Sequence, residues 1–216
     1  MQRPRALIVD WYGVLTVGLD DAMTAWCDDD GIEYPAFRTA MAEWFGDEGY
    51  AEALYNPVHA LERGELEVPD FEHQLVRRLR RSDGSPLPPE GLLARMFSRF
   101  EHKADMAGLV RRARLAGLAT ALLSNSWGDH YLRHGWDEMF DVVVISGEVG
   151  MRKPEARIFV RTLELLNASA GECVFVDDTV GNVRAAAELG VIGVHHTSYQ
   201  QTAEELEAIF GVPLAH

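Results

Sequence analysis

The sequence predicts an α/β fold, a parallel sheet with helices on both faces and a helical unit inserted after the first strand. Three observations carry this. Five short apolar runs, at residues 5–10, 118–123, 141–145, 173–176 and 191–195, have the length and composition of buried strands. From the second run onward, helical patterns separate them, which calls for right-handed crossovers and parallel pairing. Residues 11–117 lie between the first run and the second, far more than one crossover uses.

Taken in order, the first run ends on Asp10 and passes at once into Trp11-Tyr12-Gly13-Val14. Residues 18–82 have a helical, amphipathic pattern, with aromatics at Trp26, Phe37, Trp44, Phe45, Tyr50, Tyr55 and Phe71. A stretch of turn formers follows at 82–89. The predicted organisation is a core domain from residues 1–17 and 90–216, and an inserted helical domain from 18–89 above the sheet's carboxyl edge. Beyond it, helices are expected at 106–116, stopped by Gly117, and near Trp127. Another is expected at 154–166, with Pro154 in its first turn and Glu155 near its positive end. A helix at 182–189 should end at Gly190. The last should open on the capping box Thr202-Ala203-Glu204-Glu205 and stop at Gly211.

The chain has 216 residues, enough for one sizeable core and a smaller appended unit. Hydrophobic residues at 47% and charged residues at 25% are those of an ordinary soluble globular protein. No apolar run approaches the roughly 20 residues that span a bilayer, and the apolar stretch before Asp10 is too short for a secretory signal. A cytoplasmic protein is expected. Cys27 and Cys173 stand outside any CxxC pattern and read as buried free thiols. The formal charge of −14 argues against nucleic acid or anionic membrane as partners. It also means that an anionic substrate would need a local cation, which favours a metal.

Ligands of open parallel sheets bind outside the carboxyl ends of the strands. Asp10 follows the first run, and Ser124 and Asn125 the second. Lys153 stands in the loop after the third. Asp177, Asp178 and, a turn later, Asn182 follow the fourth. Carboxylates, a hydroxyl and a lysine on one rim form a working set for phosphoryl transfer. A carboxylate such as Asp10 can attack phosphorus to give an aspartyl-phosphate, which splits one hard displacement into two. Mg²⁺, held by carboxylates, phosphate and water, would relieve the repulsion between the two anions. Asn182, one helical turn after Asp178, either orients that acid or is a plain helix-surface residue. Arg77, Arg78, Arg80 and Arg81 read as a solvated helix face, and His195 and His196 as packing or solvated residues. Trp127 either lines the pocket or packs in the core.

These motifs resemble the haloacid dehalogenase-like (HAD) hydrolase superfamily over nearly the whole chain. The residues that carry the resemblance are Asp10-Trp11-Tyr12-Gly13-Val14, then Ser124-Asn125, Lys153-Pro154, and Asp177-Asp178 with Asn182. The resemblance implies a Rossmann-like parallel-sheet core with an inserted α-helical cap of the subgroup that places its cap after the first motif. It implies a Mg²⁺-dependent phosphatase of a small phosphorylated metabolite, with Asp10 as nucleophile. Asp10, the Tyr12 backbone carbonyl and Asp178 would bind Mg²⁺, with Asp177 a further ligand or supporting acid. Lys153, Ser124 and Asn125 would hold phosphate.

The chain departs from the family pattern at Tyr12, where a second Asp usually protonates the leaving alcohol and then activates water. A phenol with an ordinary pKa near 10 cannot easily do both. Losing a placed acid–base costs about 10²–10⁴-fold. Tyrosine at this position also resembles the 2-haloacid dehalogenases, in which the Asp displaces halide from carbon. Those enzymes work without metal and do not carry this Asp-Asp pair. A catalytically silent module that keeps the metal and phosphate cradle is the third reading of the same substitution.

Overall fold

The structure, a computed structural model, describes residues 3–45 and 56–215. Tyr50, Tyr55 and the side chain of Phe45 lie outside the described residues. Strand β1 (Ala6–Val9) is followed by α1 (Leu19–Asp30), α2 (Tyr34–Phe45), α3 (Pro57–Glu62), α4 (Val68–Val76), α5 (Leu92–Phe97) and α6 (Ala104–Leu115). Next come β2 (Ala119–Ser124), α7 (Trp136–Met139), β3 (Val142–Ile145), α8 (Ser146–Val149) and α9 (Ala156–Leu166). The chain closes with β4 (Cys173–Asp177), α10 (Val180–Glu188), β5 (Ile192–His195) and α11 (Tyr199–Phe210). The five strands form one sheet in the order β3-β2-β1-β4-β5, every pair parallel. The register sets Val9 beside Leu122 and Val176, so Asp10 emerges between the ends of β2 and β4.

Alternation along the strands builds two cores, one per face. Leu7, Val9, Leu122 and Val176 pack with Leu109 and Val110 of α6 and Leu206 and Phe210 of α11. Ala6, Ile8, Leu123 and Phe175 face the other way, onto Ile158 and Phe159 of α9 and Ala186 of α10. The helices α1 to α5 hold a third apolar cluster of their own, around Trp26, Phe37, Trp44, Phe71 and Leu75. Leu92, Leu93 and Met96 of α5 and then Phe100 join that cluster, so it runs past residue 89.

Three local expectations are corrected. The last helix begins at Tyr199, because the Ser198 hydroxyl accepts from the Gln201 N–H; Thr202 lies inside the helix, buried. No helix begins at Trp127 among the described residues. The chain stays irregular to Gly135, where Tyr131 turns inward onto Ser124. Pro154 precedes α9, whose N-cap is Glu155. Arg77, Arg78 and Arg80 are exposed but follow the end of α4 and form no helix face, because the helix stops at Val76, and Arg81 is half-buried in a bridge to Ile32. Both cysteines are buried and free. Among the described residues no helix is long and apolar enough to cross a membrane.

His196 is buried, and its Nδ1 lies 2.8 Å from the Thr202 hydroxyl. Burial, with the charge of Lys103 as a smaller cause, pushes its pKa down to about 4. The unfolded chain then binds a proton that the folded chain refuses, so His196 stabilises above about pH 6.5 and that contribution is lost as pH falls toward 4. We expect the stability difference between wild type and His196→Gln to shrink, and then reverse, between pH 7 and pH 4. Urea titrations of both proteins across that range check it.

Candidate active site

Asp10 leaves β1 with its N–H on the Val176 carbonyl at 3.0 Å and its Oδ1 accepting from the Trp11 N–H at 2.7 Å. Both bonds aim the carboxylate over the sheet edge. Lys153 reaches the same place from the loop after α8. Its Nζ lies 2.8 Å from Asp10 Oδ2 and 2.7 Å from Asp177 Oδ2, and the residue is 1% exposed. The Asn125 side chain fixes that loop, accepting from the Lys153 N–H at 2.8 Å and donating to its carbonyl at 3.0 Å. Asn125 therefore holds the lysine's backbone, a role its sequence position did not reveal.

Asp177 ends β4, fully buried. Its Oδ1 accepts from the Thr179 N–H at 2.8 Å, and Asn182 donates to both its oxygens at 3.1 Å. Asn182 thus orients Asp177, not Asp178, because its amide turns toward the buried acid. Asp178 is held otherwise: its Oδ1 accepts from the Thr179 hydroxyl at 3.3 Å, and its carbonyl lies 2.9 Å from His195 Nε2. Its side chain lies against the Gly13 turn. Gly13 has φ +79°, and a Cβ there would fall 1.9 Å from Asp178 Oδ2, so this turn admits glycine alone.

Oxygens of Asp10, Asp177 and Asp178 lie within 4.8 Å of one another. Burial, followed by repulsion from Asp177 and Asp178, pushes the Asp10 pKa well up against the opposing pull of Lys153. Burial and then Asp177 raise Asp178. Burial works against the Lys153 ammonium, but Asp10 and Asp177 more than offset it and hold its pKa above the ordinary value. With all groups charged, three carboxylates and one ammonium leave a local charge of −2. A hard dication fits an all-oxygen set of that charge.

The Ser124 hydroxyl is buried and lies 2.9 Å from that of Tyr131. The Tyr12 ring sits 5.1 Å from Phe97, 4.8 Å from Phe100 and 5.4 Å from Tyr131. Burial and the charge of Asp10 push its phenol pKa far up, so it keeps its proton. Sequence reasoning missed Glu62. This buried residue of α3 accepts from Trp127 Nε1 at 3.2 Å and pairs with Arg152. Next to it, Arg63 lies 3.1 Å from Glu155. The signal was there: Glu62 follows Val58 by four residues, on the buried face of α3. Trp127 meets both expectations, lining the cavity and packing on Phe71 at 5.4 Å. The cavity above the carboxylates holds about 490 Å³, with Asp10, Tyr12, Asn125, Lys153 and Asp178 in its lining.

A protein-family model for haloacid dehalogenase-like hydrolases matches residues 4–190. The chain belongs to this family. It is 33% identical to sesquiterpene phosphatase astK of Aspergillus oryzae, over 69% of this chain and 77% of that protein. It is 28% identical to mouse acyl-CoA dehydrogenase family member 10 over 97% of this chain, but spans only 19% of that protein. Phosphoserine phosphatase of Thermus thermophilus is 32% identical over 57% of this chain and 53% of its own length. Two solved structures share the HAD fold. A HAD family enzyme of Bacteroides thetaiotaomicron in complex with magnesium and inorganic phosphate has TM-score 0.66 and 20% identity, over 90% of this chain and 94% of its own. A dehalogenase has TM-score 0.64 and 19% identity, over 90% and 85%. As a member of this family, the chain is a hydrolase with a five-stranded α/β core.

Proposed function

We propose that this hydrolase is a Mg²⁺-dependent phosphatase of a small phosphorylated metabolite, acting through an aspartyl-phosphate on Asp10. The observation that carries the reading is the group of three carboxylates, two buried and one half-buried, that a single ammonium offsets only in part. A halide displacement at carbon has no use for Asp177 and Asp178, whereas phosphate with a dication does. The relatives named for sesquiterpene and phosphoserine phosphatase activity support the same class.

Asp10, Asp178 and the Tyr12 backbone carbonyl would hold Mg²⁺, with Asp177 a further ligand or supporting acid kept in place by Asn182. The ion would supply positive charge where two anions must meet. Lys153 neutralises charge between Asp10 and the phosphate. Asn125 keeps Lys153 in place, and Ser124 would exchange Tyr131 for a phosphoryl oxygen. A carboxylate oxygen of Asp10 bonds to phosphorus as the bond from phosphorus to the alcohol oxygen breaks, and the alcohol takes its proton from water. A second water then cleaves the aspartyl-phosphate, so ester and water give alcohol and inorganic phosphate. The helical unit, residues 18–89 with α5 and Phe100 packed into its core, serves as the cap over this site, and the cytoplasm is the setting we assign.

Phosphate release from p-nitrophenyl phosphate and acetyl phosphate with Mg²⁺ tests the reading. Release that EDTA stops is expected. Release indifferent to EDTA would remove the metal. Halide release from 2-chloropropionate without metal would replace the reading with dehalogenation. No turnover, with binding of Mg²⁺ and beryllofluoride retained, would leave a silent module.

Tyr12 in this scheme is a wall residue, not a proton carrier. Tyr12→Phe should keep kcat within about tenfold, less than the loss of a general acid–base. Tyr12→Asp puts a carboxylate against the stacked rings of Phe97 and Phe100 and should lower the Tm without raising kcat. Steady-state kinetics and thermal melts of both variants check this. A higher kcat for Tyr12→Asp would mean that Tyr12 merely occupies the place of a missing acid–base.

A further inference from the structure

We propose that the substrate is the phosphate monoester of an apolar alcohol. The proposal rests on the phosphatase reading and deepens it. The cavity has two unlike ends. At one stand Asp10, Lys153 and Asp178; away from the carboxylates the wall is Leu19, Met23, Met96, Phe97, Phe100 and Trp127. Tyr12 joins them, its ring packed against the stacked pair Phe97 and Phe100.

Most polar side chains of the lining are already committed, the exception being the outer nitrogens of Arg152, whose Nε alone pairs with Glu62. Glu62 is taken by Arg152 and Trp127 Nε1, Asn125 by the Lys153 backbone, and Asn182 by Asp177. A leaving group rich in hydroxyl or charged groups would give up water here for partners that are engaged elsewhere. An alkyl or isoprenoid-like body gives up nothing and buries apolar surface. The volume of about 490 Å³ is well beyond what phosphate needs and within the roughly 300–1,000 Å³ of sites for larger ligands. Leu19 and Met23 stand one turn apart on α1, and Leu19 is 56% exposed, a large apolar side chain at the cavity wall with open solvent beside it. Methionines at two of six wall positions let such a wall fit a flexible chain.

The test compares kcat/KM for octyl phosphate and glycerol 3-phosphate in the full chain with Mg²⁺, with acetyl phosphate as the control for turnover. Each buried methylene is worth about fourfold in binding, so octyl phosphate should lead by at least about a hundredfold. Leu19→Glu should cut that ratio at least about fivefold. Acetyl phosphate turnover with no preference for octyl phosphate overturns the proposal and leaves the phosphatase reading standing. So does a preference that Leu19→Glu does not change, because the apolar body then lies elsewhere. If acetyl phosphate is not turned over, the phosphatase reading fails. Calorimetry of octylphosphonate against methylphosphonate then decides the apolar site alone: tighter binding of the octyl compound supports it, and equal binding overturns it.

Discussion

Asp10→Asn abolishes phosphate release, a loss of at least about 10⁴-fold, the scale seen when a nucleophile is removed from a working site. The amide has the shape of the carboxylate, and its carbonyl can still accept from the Trp11 N–H. It cannot attack phosphorus, and it contributes no charge to a cation. The variant should nevertheless fold well. The ionised Asp10 is disfavoured where it stands, chiefly by burial and then by its two acidic neighbours. Removing that charge without metal relieves repulsion from Asp177 and Asp178, but it gives up the 2.8 Å bond to Lys153 and turns an amide N–H toward the ammonium, which keeps Asp177. The two effects oppose each other, so the melting temperature in EDTA at pH 8 should stay close to that of wild type. Phosphate assays with calorimetric melts check both halves. Residual release above about one thousandth of wild type would move the nucleophile elsewhere.

Lys153→Met gives the largest loss of stability. Removing one partner of a buried ion pair costs about 3–5 kcal/mol, which for a chain of this length lowers the Tm by roughly 6–20 °C. Three carboxylates then share a buried site with no cation. Their folded-state pKa values are already raised at Asp10 and Asp178 and rise further without the ammonium. A carboxyl whose folded pKa is raised binds protons more readily folded than unfolded, so stability falls as pH climbs from about 4 through the raised value. The deficit of the variant should thus narrow from pH 8 to pH 5, and Mg²⁺ at pH 8 should recover part of it. Melts at the two pH values, with EDTA and with Mg²⁺, measure this. An unchanged Tm would show that Lys153 does not balance the carboxylates.

The sheet was legible because its central strands are buried on both faces and so read as plain apolar runs, each followed by its polar residue. Asp10, Ser124, Asp177 and Asp178 could be placed for that reason. Pairings between distant segments were not legible. Asn182 chooses Asp177 over Asp178 by a side-chain turn that spacing does not specify. Asn125 could be placed at the rim by its strand end, but its two bonds to the backbone of Lys153, far along the chain, could not. Glu62 meets Arg152 across 90 residues. Thr202 has the sequence of a helix start, yet Ser198 four residues earlier claims that place with a real hydrogen bond.

The burial of the Lys153 ammonium has a chemical corollary. The chain takes nearly all its positive charge from arginine and holds just two lysines, Lys103 and Lys153. A guanidinium fork would not fit between Asp10 and Asp177, where a compact point charge does. An acylating reagent that attacks free amines therefore meets one half-buried ε-amine at Lys103, while the other is shielded and held protonated by two carboxylates. Acylation at Lys153 marks molecules in which the site has come apart, so the fold carries its own chemical clock for the opening of its centre.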